Sequence, residues 1–232
     1  MKQSKAPVLS YQEFLSEQHV SLESFCEELV GSNRTRIQIK NEKRATQNML
    51  RIVKAVMTLS QRKGFQGMSL RDLSQKTELS MGALYNYFSS KEELFEMVYL
   101  QGRQSVQRVM QNNARDSDPE TRLNRSICAH LYMSEVLPQM FSFFFMEARN
   151  LPRRSQKNII DLEKVTEGFF EQILQDGIKE KRFRIQQPAL LSGAIKALLQ
   201  DWYLKRYKFS GKKISVEQYA AFVIDLVSRS LE

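Results

Sequence analysis

Glycine and proline are scarce, nine and five in 232 residues. A turn-rich β-sandwich or barrel draws on far more of both, so the composition points to long helices. Cysteine is scarcer still: Cys26 and Cys128 are too few and too isolated for a disulfide framework or a thiolate metal site. The two histidines, His19 and His130, stand alone and fit ordinary surface or core roles better than that of a catalytic base. There is no G-x-S-x-G elbow, no phosphate-binding glycine loop and no paired-histidine motif, so neither metal nor cofactor is expected and enzyme readings fare poorly. No apolar run approaches the ~18 residues that cross a bilayer. Met1-Lys2-Gln3-Ser4-Lys5 leads into polar sequence rather than an apolar signal core. A chain without membrane contact, in the reducing cytoplasm, is the expectation.

What is present is a core and a basic imbalance. Hydrophobic residues make up 42% of the chain and charged residues 26%, enough to fold and too apolar for global disorder. The net charge of +9 is uneven. Residues 1–30 carry two basic and five acidic groups, residues 31–103 carry 13 and six, and residues 104–232 carry 20 and 15. The basic middle segment reads either as a surface for a polyanion or as a generally solubilising charge.

The helical period runs through nearly the whole chain. Phe14, Gln18, Leu22, Phe25 and Leu29 mark one amphipathic helix over 11–30, opened by a Ser10–Glu13 capping box and stopped at Gly31. Residues 32–42 lack a stripe and carry Arg34, Arg36 and Lys40; with Lys43 they read as an extended basic arm toward a polyanion or as a solvated linker. Met49, Ile52, Val53, Val56 and Leu59 mark a helix that ends at Gly64. Two short helices follow, capped by Ser69 and Ser80, and then a long one over about 90–114. This order is a helix-turn-helix pattern. Beyond it come helices opened by Asp118-Pro119, by Pro138, by Pro152 (to about 181), by Pro188 (to about 208) and by the Ser215–Gln218 capping box. The fold class is all-α.

The run from Ser69 through Leu94, SLRDLSQKTELSMGALYNYFSSKEEL, resembles the DNA-binding signature of the tetracycline-repressor (TetR) family, and Gly64-Phe65 fits the pair that precedes it. The sequence departs from the family pattern at Ser74, usually Ala, and at Glu78, usually a turn Gly. Leu174 to Ile178, followed by Phe183-Arg184, is similar to the family's penultimate segment, with Lys181 where a second Gly is common. The resemblance divides the chain into an N-terminal helix and basic arm (1–43), a three-helix DNA-binding domain (44–95) and a helical regulatory and dimerisation domain (96–232).

The resemblance implies a bacterial regulator, usually a repressor, that binds a palindromic operator as a homodimer and is released by a small, largely apolar effector. Physically, a helix starting at Ser80 can bring Met81, Gly82 and Ala83 to base edges in a major groove, with Gly82 permitting close approach. The family pattern assigns phosphate contact to Tyr85, Tyr87 and Lys91; Ser69 and Asn86 complete the DNA-facing set. Leu73, Leu79, Leu84 and Phe88 belong to the small core. Met133, Met140, Phe144, Phe169 and Trp202 are the candidates for an apolar effector cavity, although bundle cores use such residues too, and Arg149 or Glu147 would meet a polar end of the ligand. Leu190, Ala194, Ala197, Tyr219, Phe222 and Leu226 are the candidates for the dimer interface. Two alternatives stay open: control by a partner protein through the 1–30 helix, and, remotely, a helical enzyme with a DNA-binding appendix.

Overall fold

The computed structural model describes residues 8–116, 118–147 and 153–232, with side chains omitted over 153–163. Twelve α-helices and no strand occur among the described residues. In chain order they are α1 (Tyr11–Gln18), α2 (Leu22–Ser32), α3 (Glu42–Gly67), α4 (Leu70–Thr77), α5 (Met81–Tyr85), α6 (Lys91–Asn113), α7 (Pro119–Val136), α8 (Pro138–Glu147), α9 (Arg153–Lys179), α10 (Pro188–Leu204), α11 (Arg206–Ser210) and α12 (Val216–Ser228).

The expected caps are in place. Ser10, Ser69 and Ser215 each close a reciprocal box with the residue three positions on, and Asp118 caps α7 ahead of Pro119. Two helices expected as single are broken. The 11–30 helix divides at His19, which is left-handed at φ 49°, because Ser21 and Ser24 form a capping box of their own that restarts the chain as α2. The helix expected over 188–208 divides at Lys205, whose backbone leaves the helical region and makes α11 a separate turn. Gly31 lies inside the last turn of α2 rather than stopping it. The opening of α9 at Pro152 lies outside the described residues.

The chain forms two compact units: one of Val20–Ser105 and Gln139–Ile160, the other of the segment ending at His19, Val106–Pro138 and Asp161–Glu232. The expected boundaries after residues 43 and 95 differ from this division. We call the first the helix-turn-helix unit and the second the C-terminal unit. In the first, Phe65, Phe95 and Phe143 pack as a ring triad with centroids 5.3–6.0 Å apart, and Met49, Leu73, Leu84 and Phe88 are fully buried. In the second, α7 is buried over most of its length. Tyr132 of α7 receives α1: its hydroxyl donates to Leu9 O at 2.9 Å, and the rings of Tyr11 and Phe14 stand edge-on to it. Trp202, Phe209 and Tyr219 pack as a second triad with centroids 4.7–5.1 Å apart.

Two expectations for stability follow from the C-terminal unit. The chain turns after α9 with Lys181 left-handed at φ 57°, and the amide of Phe183 donates back to Gly177 O at 3.1 Å. This fold brings the buried Phe183 ring onto Gly177, where an added Cβ would overlap the ring carbons. Gly177→Ala should therefore cost about 2 kcal/mol or more, whereas Lys181→Gly should gain roughly 0.5–1 kcal/mol by relieving the left-handed penalty; urea unfolding of both variants checks the opposite signs. The buried His130 lies 3.1 Å from Lys196 Nζ. Burial and the Lys196 charge hold its imidazole well below the usual value of 6.5. The unfolded chain then takes up a proton that the folded chain refuses, so stability should fall as pH drops below about 6.5. Urea midpoints between pH 7.5 and 5 should slope less in His130→Gln.

Candidate nucleic-acid interface

The helix-turn-helix is built from α4, the turn Glu78–Ser80 and α5. Thr77 closes α4 by donating its hydroxyl to Leu73 O at 2.6 Å, and Ser74 donates to Leu79 O at 2.7 Å across the turn. The serine at position 74 thus ties the turn to α4. Glu78 sits at the C-cap of α4 with φ 56°, a left-handed position that explains the usual glycine. Arg51 of α3 steadies it by donating to Thr77 O and lying 3.3 Å from Glu78 Oε2.

Ser80 then caps α5 by accepting the Ala83 amide at 3.2 Å. Met81 and Ala83 are half-buried, and a Cβ added at Gly82 would meet nothing within 4 Å. Nothing in the chain itself demands glycine there, so the open space is available to an outside partner. Tyr85 is 47% exposed, Ser80 is exposed and Asn86 is half-buried. Arg44, Arg71 and Lys76 are exposed on α3 and α4 of the same unit. Ser69 is exposed, but its hydroxyl serves the α4 cap, donating to Asp72 Oδ2 at 2.6 Å. The Lys63 ammonium, together with that bond, holds the Asp72 carboxyl well below the usual carboxylate range.

Two of the expected phosphate ligands are otherwise engaged. The ring of Tyr87 is fully buried, and its hydroxyl accepts from Asn48 Nδ2 of α3 at 2.9 Å. Lys91 opens α6 and turns inward. Its ammonium donates to the carbonyls of Phe65, Gln66 and Met68 at 3.2, 2.8 and 3.1 Å, capping the end of α3. Three carbonyls match the three donors of an ammonium, so the side chain acts as a C-terminal cap. Both residues position the reading elements and do not project with them.

The basic segment 32–42 is fastened to the same unit. Arg36 pairs with Glu93 at 2.8 Å, Ile37 is buried, and the Gln38 amide donates to Asn86 O at 2.9 Å. The Arg36 bond, with help from the Ser89 amide, lowers the Glu93 carboxyl to about 2. A strap ending beside α5 replaces a loose arm. The sequence signal for it was the Ile37 and Ile39 pair among the charges.

Two family models match this chain. Residues 52–98 match the model described as bacterial regulatory proteins of the tetR family, and residues 116–231 match the tetracyclin repressor-like C-terminal domain. The chain belongs to the TetR family. Its α4–α5 motif is the DNA-binding helix-turn-helix of a TetR transcriptional regulator, a family and fold of regulators rather than enzymes. Among its relatives is the uncharacterized HTH-type transcriptional regulator YfiR of Bacillus subtilis, 28% identical over 153 residues that span 59% of this chain and 68% of YfiR. The TetR regulator PfmR of Thermus thermophilus has a similar structure, with TM-score 0.68, 27% identity and coverage of 78% of this chain and 99% of that one. AibR, solved with isovaleryl coenzyme A and operator DNA, shares the fold at TM-score 0.65 and 17% identity over 75% of this chain and 95% of that one.

The expected effector and dimer residues fare unevenly. Met140 and Phe144 belong to the helix-turn-helix unit, and Met133, Phe169 and Trp202 to the C-terminal unit. Trp202 is a core residue: fully buried against Phe209 and Tyr219, it donates its indole N–H to Glu135 at 3.1 Å and lies under the Arg206 guanidinium. Phe144 packs edge-on against Phe95 and Tyr99. A cavity of about 340 Å³ lies between α3 and α8, and none of the five lines it. Arg149 lies outside the described residues. Of the dimer set, Tyr219 is buried, with its hydroxyl on Leu198 O at 2.8 Å. Leu190, Ala194, Ala197, Phe222 and Leu226 are exposed. No helix among the described residues is long and apolar enough to cross a membrane.

The inward turn of Lys91 separates two outcomes. Lys91→Met keeps the hydrocarbon stem and removes three donors, so thermal unfolding should show a loss of about 1.5–3 kcal/mol. The slope of log K against log salt for DNA should stay unchanged at temperatures where the variant is folded, since no phosphate contact has been deleted.

Proposed function

We propose that this TetR regulator binds a palindromic operator as a homodimer, reading bases through α5, and that a small, largely apolar effector releases it as a repressor. The observation that carries the reading is the open space over Gly82 between half-buried Met81 and Ala83 and near exposed Tyr85, at the start of a helix capped by Ser80. That arrangement suits close approach of a short helix to base edges in the major groove, with Tyr85 and the exposed cations of α3 and α4 on the backbone. AibR, seen with an acyl coenzyme A and operator DNA, supports an effector-controlled reading. The site for the apolar effector is proposed around Met140 and Phe144 of α8 or Met133 and Phe169 of the C-terminal unit.

The dimer is supported by an apolar stripe. Leu190, Ala194 and Ala197 recur at steps of four and three along α10, and Phe222 and Leu226 stand four apart on α12. Leu190, Phe222 and Leu226 are 69, 57 and 43% exposed. Side chains of this size left in water on neighbouring helices suit an isologous contact with a second copy. Control by a partner protein through the N-terminal helices has less support, because Phe14 of α1 and Phe25, Cys26 and Leu29 of α2 are already buried within this chain.

Two substitutions test this reading. Phe222→Glu should convert the dimer to monomers in analytical ultracentrifugation and weaken operator binding roughly 100-fold or more, since two linked heads share the operator. Ala83→Gln should shift base preference at one operator position by about 1–3 kcal/mol while leaving nonspecific binding intact. A monomeric wild type at micromolar concentration, or an Ala83 variant with unaltered preference, would refute the respective half.

A further inference from the structure

The helix-turn-helix unit holds a cavity that the DNA-reading surface does not use. It measures about 340 Å³ and lies between the second half of α3 and the end of α8. Its walls are mixed: Met57, Phe143 and Met146 are apolar, while Ser60, Gln61, Ser142 and Glu147 are polar. Ser60 and Glu147 are the informative ones. Glu147 is 5% exposed and Ser60 is 8% exposed. Glu147 Oε1 accepts the Phe65 amide at 3.1 Å, but Glu147 Oε2 and Ser60 Oγ are both buried without a hydrogen-bond partner among the described residues.

Such a pair is costly unless something answers it. A carboxylate oxygen taken from water without a donor loses its hydration for nothing, and so does a hydroxyl. The remedy must bring N–H or O–H donors and, for the carboxylate, positive charge. A metal ion is a poor match, because no group of three metal-ligating side chains occurs among the described residues. A hydrated inorganic cation would leave the methionine and phenylalanine walls facing water. An organic ammonium satisfies both halves: its head supplies donors and charge, and its hydrocarbon part meets two adaptable methionines and an aromatic ring. At roughly 30 Å³ for each non-hydrogen atom, the space takes a molecule of on the order of ten such atoms.

We propose that this cavity binds a small organic ammonium ion, with its head on Glu147 Oε2 and Ser60 Oγ and its apolar body against Met57, Phe143 and Met146. None of the five apolar effector candidates lines this cavity, and the proposal does not depend on where the effector binds. The cavity touches the DNA-binding machinery at one place. The other oxygen of Glu147 holds the Phe65 amide, next to Gly64 with its φ of 72° and four residues ahead of the Ser69 cap of α4.

Thermal unfolding of the full chain, with cyclohexylammonium, cyclohexanol and cyclohexanecarboxylate at matched ionic strength, tests the proposal. The ammonium alone should raise the melting temperature saturably, by about 5 °C at a hundredfold excess over Kd, and calorimetry should give one site per chain. Ser60→Ala should weaken binding about five- to tenfold. Glu147→Gln should abolish it. Met146→Trp should abolish it as well by filling the mouth; Met146 is 63% exposed, so this variant keeps the test valid should the Glu147 variant fail to fold. The proposal is overturned if ammonium ions from methyl to cyclohexyl give no shift. It is equally overturned if the alcohol matches the ammonium, or if Met146→Trp binds as wild type does.

Discussion

The helix-turn-helix unit hangs on one residue, Phe65. The amide of Phe65 donates to Glu147 of α8, its carbonyl accepts from Lys91 of α6, and its ring packs on Phe95 and Phe143. Two helices, α6 and α8, are thereby referred to the turn that ends α3. Gly64 makes the turn possible, since a φ of 72° suits glycine alone at little cost. From there the chain reaches Ser69 and starts α4, so the turn sets where the reading helices begin, and buried Leu73 and the Arg51 bond to Thr77 O hold α4 in place. The short α5 has a single buried side chain, Leu84.

Much of this was legible in the sequence, and for definite reasons. Caps are local, so Ser69, Ser80, Asp118 and Ser215 announced their helices from residues three positions apart. The family signature fixed the order of the helix-turn-helix. The roles of Tyr87 and Lys91 were not legible, because they depend on Asn48, Phe65, Gln66 and Met68, which are 23 to 39 positions away. A tyrosine and a lysine beside a recognition helix have the chemistry of phosphate ligands, and only the tertiary structure says which way they turn. The break at His19 escaped for a different reason: the hydrophobic period continues across it, while the Ser21–Ser24 box that interrupts it uses serine at both ends. The effector candidates could not be told from core positions in the sequence, because Met and Phe carry the same signal in a wall as in a core.

The departures from the family pattern have structural counterparts. Glu78 and Lys181 both replace glycine at left-handed positions, and both turns still form. Arg51 at the first, and the backbone bonds of Arg182 and Phe183 to Gly177 at the second, hold the chain through the strain. Ser74 replaces alanine and gains a bond across the turn. Gly177 itself has no such latitude, because an aromatic ring occupies the place of its side chain.

The division into units has a topological consequence. The chain passes from one unit to the other four times, after His19, Ser105, Pro138 and Ile160. Neither unit is a continuous stretch, so neither can be completed by a ribosome before the other has begun. The C-terminal unit must wait for residues beyond 160 to meet α1, which was synthesised first. A protease that cuts one crossing frees nothing, since three covalent links remain. The two units are distinct in compactness, yet scission at any single point leaves them joined.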